Sequence, residues 1–444
     1  MPRLSGRAWC WASTHAHDFA TDCKSGRKFM PLVEGHTAIE CPKGIPVWDI
    51  DPYGEDILRN PHEYYSELRQ KGPLVYIPKY SVLASGTFVV TREIFSDWER
   101  FVSSRGVGLT DFGLVEPWRP PSIILEVDPP AHTQTRAVMA RALSPKAVMQ
   151  LKQDFARSAK ELIARLIHRG GGFDAVADIA EAFPTDVFPR AVGLRNHDAR
   201  RMIDYGAMVF NALGPDNRLR RDALAKGPDI VPWITNQCSR EMLLPGGLGE
   251  AIYAASDLGE ISSEQAGMLV RSLLSAGVDT TVTGIGNALW CLANYPDQYA
   301  LLREDPTRAR AAFEEALRLT SPVHTFCRTA AANTEVAGIE IAEGTKILCV
   351  LGAANTDPEH WADPMRFDIS RKVTGHMAFG AGIHGCVGQN VARAEGEAVL
   401  SELAKAVRSI ELDGAPVWRP NNAIRALEKL PVRFIAEEGR ARCQ

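Results

Sequence analysis

The chemistry available to this chain starts with one thiol. In Phe379-Gly-Ala-Gly382-Ile-His384-Gly385-Cys386-Val-Gly388, Cys386 lies in a glycine-rich loop, and the Ala- and Val-rich segment from about Val387 reads as a helix behind it. The unpaired first N–H groups of such a helix, and the positive end of its dipole, favour thiolate over thiol. Thiolate is the form that binds metal. Gly382 permits a tight turn, and Gly388 removes a side chain where a flat partner would need close approach. Taken singly, a free cysteine is more often a buried structural residue.

A second cluster interrupts what should be a long helix. Ser262-x-x-Gln265 is a capping box, and the helix it opens is expected to run to about Asn294, before Pro296. At 1.5 Å per residue that is roughly 48 Å, enough to cross a domain. Its middle, Ser272, Ser275 and Ala276-Gly277-Val278-Asp279-Thr280-Thr281, is built from poor helix formers. The plain reading is a kink at Gly277 with hydroxyls folding back on the ladder. Arg271, Ser275 and Asp279 follow one another a turn apart on one face. A buried Arg271 needs an anionic partner; at the helix's surface end it would form an ordinary Arg–carboxylate bridge.

The remaining elements must position these groups. Glu63–Lys71 reads as a helix stopped by Gly72-Pro73, and Leu74–Ile77, Val82-Leu83 and Phe88–Val90 read as strands. A Gly-rich loop from Phe101 to Ser122 follows, long enough to be a lid or binding loop. Asp128-Pro-Pro-Ala-His132 opens a helix through Arg141, on which His132 and Arg136 share a face. Ala147–Arg169 is a further amphipathic helix, and residues 174–258 are largely helical. Asp305-Pro306 caps a helix carrying the i,i+3 pair Glu315 and Arg318. Ser321–Arg328 is extended, and Thr334–Ile341 with Thr345–Gly352 reads as a hairpin.

Composition excludes several functions. The chain has 444 residues, 50 basic and 54 acidic side chains and a net charge of −4, so nothing favours a nucleic-acid partner. Nine irregularly spaced cysteines offer neither a disulfide framework nor a zinc spacing and fit a reducing compartment, the cytoplasm. No apolar run approaches the roughly eighteen residues of a membrane span. Residues 1–29 lack periodicity and the apolar core of a signal peptide; they read as a disordered extension before one domain spanning 30–444.

Phe379-x-x-Gly382-x-x-x-Cys386-x-Gly388 resembles the haem-binding loop of the cytochromes P-450, the haem-thiolate monooxygenases. Ala276-Gly-x-Asp279-Thr280-Thr281 resembles the family's oxygen-binding groove, and Glu315-x-x-Arg318 followed by Trp361-x-x-Pro364-Met-Arg366-Phe367 its buried Glu–Arg–Arg network. The resemblance implies a mainly α fold, a large helical domain with a small β-rich lobe and a long central helix across the haem. It implies haem b with Cys386 as axial iron ligand, and His132, Arg136, Arg328 and His384 on the propionates. Thr280 would stand at the oxygen site and Asp279 would relay protons. Glu315, Arg318 and Arg366 would support the cysteine loop, and Arg393 would face an electron donor.

The resemblance extends from about Tyr53 to Phe434 and is closest to bacterial oxygenases of para-substituted benzoates, the 4-methoxybenzoate O-demethylating type. It implies that Arg119, Ser122, Arg271, Ser272 and Ser275 bind the substrate carboxylate, directly or through water. Leu125, Phe210, Leu213, Val323 and Phe326 would hold the ring. The expected partners are O2, a small aromatic acid, and a ferredoxin fed by NAD(P)H through a reductase, with the enzyme a monomer. Leu213 stands where close relatives have phenylalanine, and His324 and Cys327 also depart from the pattern, which opens the choice of para group. The alternatives are a peroxide-using oxygenase, a monooxygenase of neutral terpenoids and a non-catalytic haem sensor. Arg119 with Arg271 argues against a neutral substrate, and Asp279 with Thr280 against dependence on peroxide.

Overall fold

The computed structural model describes residues 34–36, 38–117 and 119–437; the expected extension over residues 1–29 lies outside them. Helices dominate, and they gather round one large apolar core. The Pro145–Arg169 and Gln389–Ala406 helices pack along each other, and the latter also packs on Ala309–Thr320. Phe155, Ile163, Leu273, Ile285, Phe313, Val399 and Leu400, all buried, come from these helices and from the central ones. In the outer helices, such as Pro145–Arg169, apolar positions recur at helical spacing, so one stripe is buried and the charged face stays in water, whereas the central Asp279–Asn294 is buried on nearly every side.

The β lobe is a five-stranded sheet in the order Val75–Ile77, Val82–Ser85, Lys346–Val350, Thr325–Ala330, Phe101–Val102. Val82–Ser85 runs parallel to Lys346–Val350, with Leu83 opposite Ile347, and the other neighbours are antiparallel. Two expectations change here. Phe88–Val90 opens a helix, Phe88–Ser96, not a strand. Its β-branched run suits either state, and burial of Phe88, Val90, Thr91, Ile94 and Phe95 on one face decides it. The expected hairpin is shorter: Thr334–Val336 turns back on Ile339–Ile341, while Lys346–Val350 enters the main sheet.

The capping box forms as expected: Ser262 Oγ accepts from Gln265 N at 3.1 Å, and the Gln265 side chain accepts from Ser262 N at 2.8 Å. The long helix is, however, two: Ser263–Gly277 and Asp279–Asn294, broken at Val278 with φ −91° and ψ −69°. Gly277 is required by its neighbour, since a Cβ there would lie 2.6 Å from the Phe188 ring. Three threonine hydroxyls fold back on the backbone: Thr280 to Ala276 O at 2.6 Å, Thr281 to Gly277 O at 2.9 Å and Thr283 to Asp279 O at 2.7 Å. They take up carbonyls near the break. Among the described residues, no helix is long and apolar enough to cross a membrane.

Candidate active site

One cavity gathers the expected site residues. Its wall includes all of them except Asp279 and His132, which stand directly behind it. At the sulfur end, Cys386 N donates to Phe379 O at 2.8 Å, and the Gln389–Ala406 helix begins three residues later. Gly382 has φ +68°, and a Cβ there would lie 2.7 Å from Phe95 O, so only glycine fits this turn. The sequence-based expectation of a thiolate is only half right for the bare protein. Burial raises the Cys386 thiol pKa, and the N–H groups of Gly388 and Gln389, with Arg136 and Arg393, pull against it without winning. A bound metal reverses this, because a coordinating thiol is deprotonated.

Four cationic or imidazole groups flank the sulfur. Arg136, Arg328 and His384 line the cavity, and the His132 ring packs on His384 with centroids 4.5 Å apart. Arg328 is almost fully buried, stacked 4.2 Å over the Phe95 ring. Burial, with His384 and Arg136 nearby, lowers the His132 pKa to about 4, so the ring is neutral. His384 Nε2 meets Asp128 Oδ1 at 3.3 Å. Although burial works against it, hydrogen bonds from His384, Ser103 and Ser104 hold the Asp128 carboxyl at about 2. His132 Nε2 and His384 Nδ1 are buried with no partner among the described residues. Orphaned donors beside arginines are what an anionic cofactor edge would satisfy.

The support beneath the cysteine loop differs from expectation in one member. Arg318 and Glu315 are fully buried and paired through two bonds of 2.7 and 2.8 Å. The second arginine on Glu315 is Arg371, at 3.1 Å, not Arg366. Arg366 is exposed and contributes its carbonyl to Arg318. Arg393, expected to face a donor, is engaged by Glu314 and Gln389 and lies over the Phe379 ring. It holds the loop from behind.

On the opposite wall, Thr280 faces the cavity and Asp279 is fully buried behind it. Asp279 Oδ1 pairs with Arg419 at 3.3 Å, and Oδ2 has no partner. Burial raises the Asp279 pKa against the pull of Arg419, so the group can hold and release a proton. Arg419 lies 140 positions away, and nothing in the sequence links the two. Arg271 forms no bridge with Asp279; it donates to Pro120 O at 3.0 Å.

The residues expected to hold the ring, Leu125, Phe210, Leu213, Val323 and Phe326, all line the cavity. Phe210 packs with Ala423 and Ile424, a contact the sequence did not suggest. Asn422 fixes this loop to the end of the Ala199–Asn211 helix, its N donating to Asn211 Oδ1 at 3.1 Å and its Nδ2 to Asn211 O at 2.8 Å. His324 and Cys327, expected beside the substrate, are buried away from the cavity: His324 lies against Tyr64, Tyr65 and Arg425, and Cys327 packs in the sheet lobe. Neither shapes the site.

The end expected to bind an acid is not the open clamp anticipated. Arg119 already pairs with Glu126, Nη1 to Oε2 at 2.9 Å and Nη2 to Oε1 at 3.3 Å. Ser122 N also donates to Glu126 Oε2, at 2.8 Å, and Ser122 Oγ lies 3.5 Å from Ser272 Oγ. Arg271, Ser272 and Ser275 complete this part of the wall.

The cytochrome P450 family description matches residues 248–409. A bacterial relative, cytochrome P450 CYP199A2 of Rhodopseudomonas palustris, is 50% identical over 391 residues, covering 88% of this chain and 95% of its own. The chain belongs to the cytochrome P450 family. The beta-dihydromenaquinone-9 omega-hydroxylase of Mycobacterium tuberculosis is 29% identical, with 89% and 80% covered. CYP108D1 from Novosphingobium aromaticivorans superposes with TM-score 0.75 at 26% identity, covering 87% of this chain and 97% of that one. CYP109Q5 from Chondromyces apiculatus does so with TM-score 0.73 at 27% identity, covering 88% and 99%. The P450 fold, monooxygenase activity and haem b, with electrons from NAD(P)H through partner proteins, follow from membership. The cavity's chemistry agrees: one sulfur, buried unpartnered imidazole nitrogens and arginines around an apolar space.

Proposed function

We propose that this P450 oxidises the para substituent of a benzoate-type acid, most simply by O-demethylating 4-methoxybenzoate, with a ferredoxin and its reductase delivering the electrons. The observation that carries this reading is the polarity of the cavity. Ser122 lies 3.5 Å from Ser272, Arg271 donates to Pro120 O beside Arg119 and Ser275 donates to Ser272 O, so these groups gather in one part of a wall that is otherwise largely apolar. A substrate with a charge at one end and a small ether at the other suits a cavity that is polar in one place and apolar elsewhere.

Cys386 would hold the haem, with His132, Arg136, Arg328 and His384 on its anionic edge, and the bound group would supply the activation of O2. The chain's own residues do the rest. Arg271 and the serines fix the carboxylate, and Phe210, Leu213, Val323 and Phe326 restrict the ring, so regioselectivity comes from orientation. Thr280 lines the cavity with its hydroxyl proton given to Ala276 O, which leaves its oxygen to accept, and Asp279 holds a proton at its unpartnered oxygen while Arg419 anchors the other. One methyl C–H becomes C–OH, using O2, two electrons and two protons and releasing one water. The hemiacetal formed breaks down to the phenol and formaldehyde.

Titrating 4-methoxybenzoate against anisole, which lacks the carboxylate, tests the proposal through the haem spin-state change. A strong preference for the acid, reduced in Arg271→Ala, supports it. Equal shifts with both compounds would refute it. Arg271→Ala is the better variant, because Arg119→Ala would strand Glu126 as an uncompensated buried charge.

A further inference from the structure

Glu126 is 4% exposed, lies behind the cavity wall, and has no role in the chemistry derived above. Its carboxylate takes both Nη atoms of Arg119 and the backbone N–H of Ser122. One of the five side chains assigned to the acid, Arg119, is thus tied to an anion the protein supplies itself, and the backbone of Ser122 is held to the same anion. Arg271, by contrast, donates to a neutral carbonyl, Pro120 O. Tyr205, buried beside them, feels Arg271, Arg119 and Glu126 together, so these charges share one locality. Lys346 also feels Glu126 through space, but its ammonium donates to Arg105 O, Gly106 O and Thr329 Oγ1, and Arg105 is matched by Asp111.

We propose that Glu126 is a specificity-determining residue that sets the charge of the acid the cavity accepts. It cancels Arg119, so the acid end presents one net positive charge, that of Arg271, and selects monoanions over dianions. Arg119 acts as a neutralised donor shaping the end of the cavity, and the second charge of a dianion finds the Glu126 carboxylate in place of a cation. Specificity of this kind comes from repulsion as much as from attraction. The inference rests on the proposed acid-binding function and deepens it.

The test compares 4-methoxybenzoate with 4-methoxyphenylphosphonate, and both with anisole, by spin-state titration of the haem-loaded enzyme above the phosphonate's second ionisation. The expected wild-type preference for the carboxylate over the phosphonate dianion is about tenfold or more. Glu126→Gln keeps an oxygen for Ser122 N and Arg119 but removes the charge; it should narrow that preference by about tenfold, with anisole unaffected. Glu126→Asp should keep the wild-type ranking. An unchanged carboxylate-to-phosphonate ratio in Glu126→Gln would overturn the proposal while a carboxylate preference over anisole leaves the acid reading standing. Wild-type binding of anisole equal to 4-methoxybenzoate would overturn both. Should Glu126→Gln not load haem, the wild type still decides: phosphonate binding must weaken as pH rises through its second ionisation, and tightening there would contradict the assignment.

Discussion

The two ends of the cavity are built on different plans. At the sulfur end, the loop is local in sequence, and its support is a buried ionic network with every strong donor engaged. Arg318 alone gives hydrogen bonds to Glu315, Asn355 O and Pro364 O at 2.7–2.8 Å. At the proposed acid end, the 119–126 loop and the Ser263–Gly277 helix meet through few bonds, one of them a long serine–serine contact. The sulfur end must be rigid to hold a cofactor, whereas at the proposed acid end Arg271 is held by a neutral carbonyl that a ligand could replace.

That contrast yields ordered predictions. The largest stability loss belongs to Arg318→Ala, which leaves Glu315 buried without its main partner. About 3–5 kcal/mol is expected, read as a lower unfolding midpoint and loss of haem retention. Asp279→Asn should spare the fold and slow product formation by about a hundredfold, the scale of a positioned proton donor. Normal turnover in that variant would remove the proton role. The third prediction concerns acid. Against the effect of burial, hydrogen bonds from His376 and Arg393 hold the Glu314 carboxyl at about 2, below its ordinary 4.5. A depressed carboxyl stabilises the fold above its unfolded value, so that contribution fades as pH falls from about 4.5 towards 2. It amounts to about 3 kcal/mol, and Glu314→Gln should flatten this limb of the stability–pH curve.

Arg271→Ala provides the sharpest contrast with Arg318→Ala. It should cost less than about 1 kcal/mol of stability while weakening 4-methoxybenzoate binding by about tenfold, the scale of a hydrogen bond to a charged group. Large unfolding from Arg271→Ala would erase the distinction between the two ends. The smallest effect is Ser262→Ala, which removes one half of the capping box and should cost about 1 kcal/mol in thermal unfolding, leaving the binding preference intact.

The same contrast explains what the sequence disclosed. The cysteine loop, the capping box, the Glu315–Arg318 pair and the weak middle of the central helix are local patterns whose spacing reports their geometry. The break at Val278 appeared as a run of poor helix formers, although its full extent, two helices in place of one, depended on Phe188 packing against Gly277. Arg419 on Asp279, Arg371 replacing Arg366, and the Asn422 anchor are set by tertiary packing between distant segments and leave no periodic trace. Glu126 was closer to legible. It lies seven residues from Arg119, but a nearby acid signifies pairing only once the loop's path is known. Phe88–Val90 misled for another reason: a β-branched apolar run fits a strand or a buried helix face equally well.

On this account the Cys386 sulfur holds the haem iron, and the rest of the cavity is organised from it. The decisive measurement is the spectrum of the reduced, CO-bound protein, compared between wild type and Cys386→Ser. The wild type should show the red-shifted Soret band of thiolate ligation, and the variant should lose that band even where haem is retained. A wild-type band at the position of histidine-ligated haem, or an unchanged band in Cys386→Ser, would rule out the sulfur as ligand.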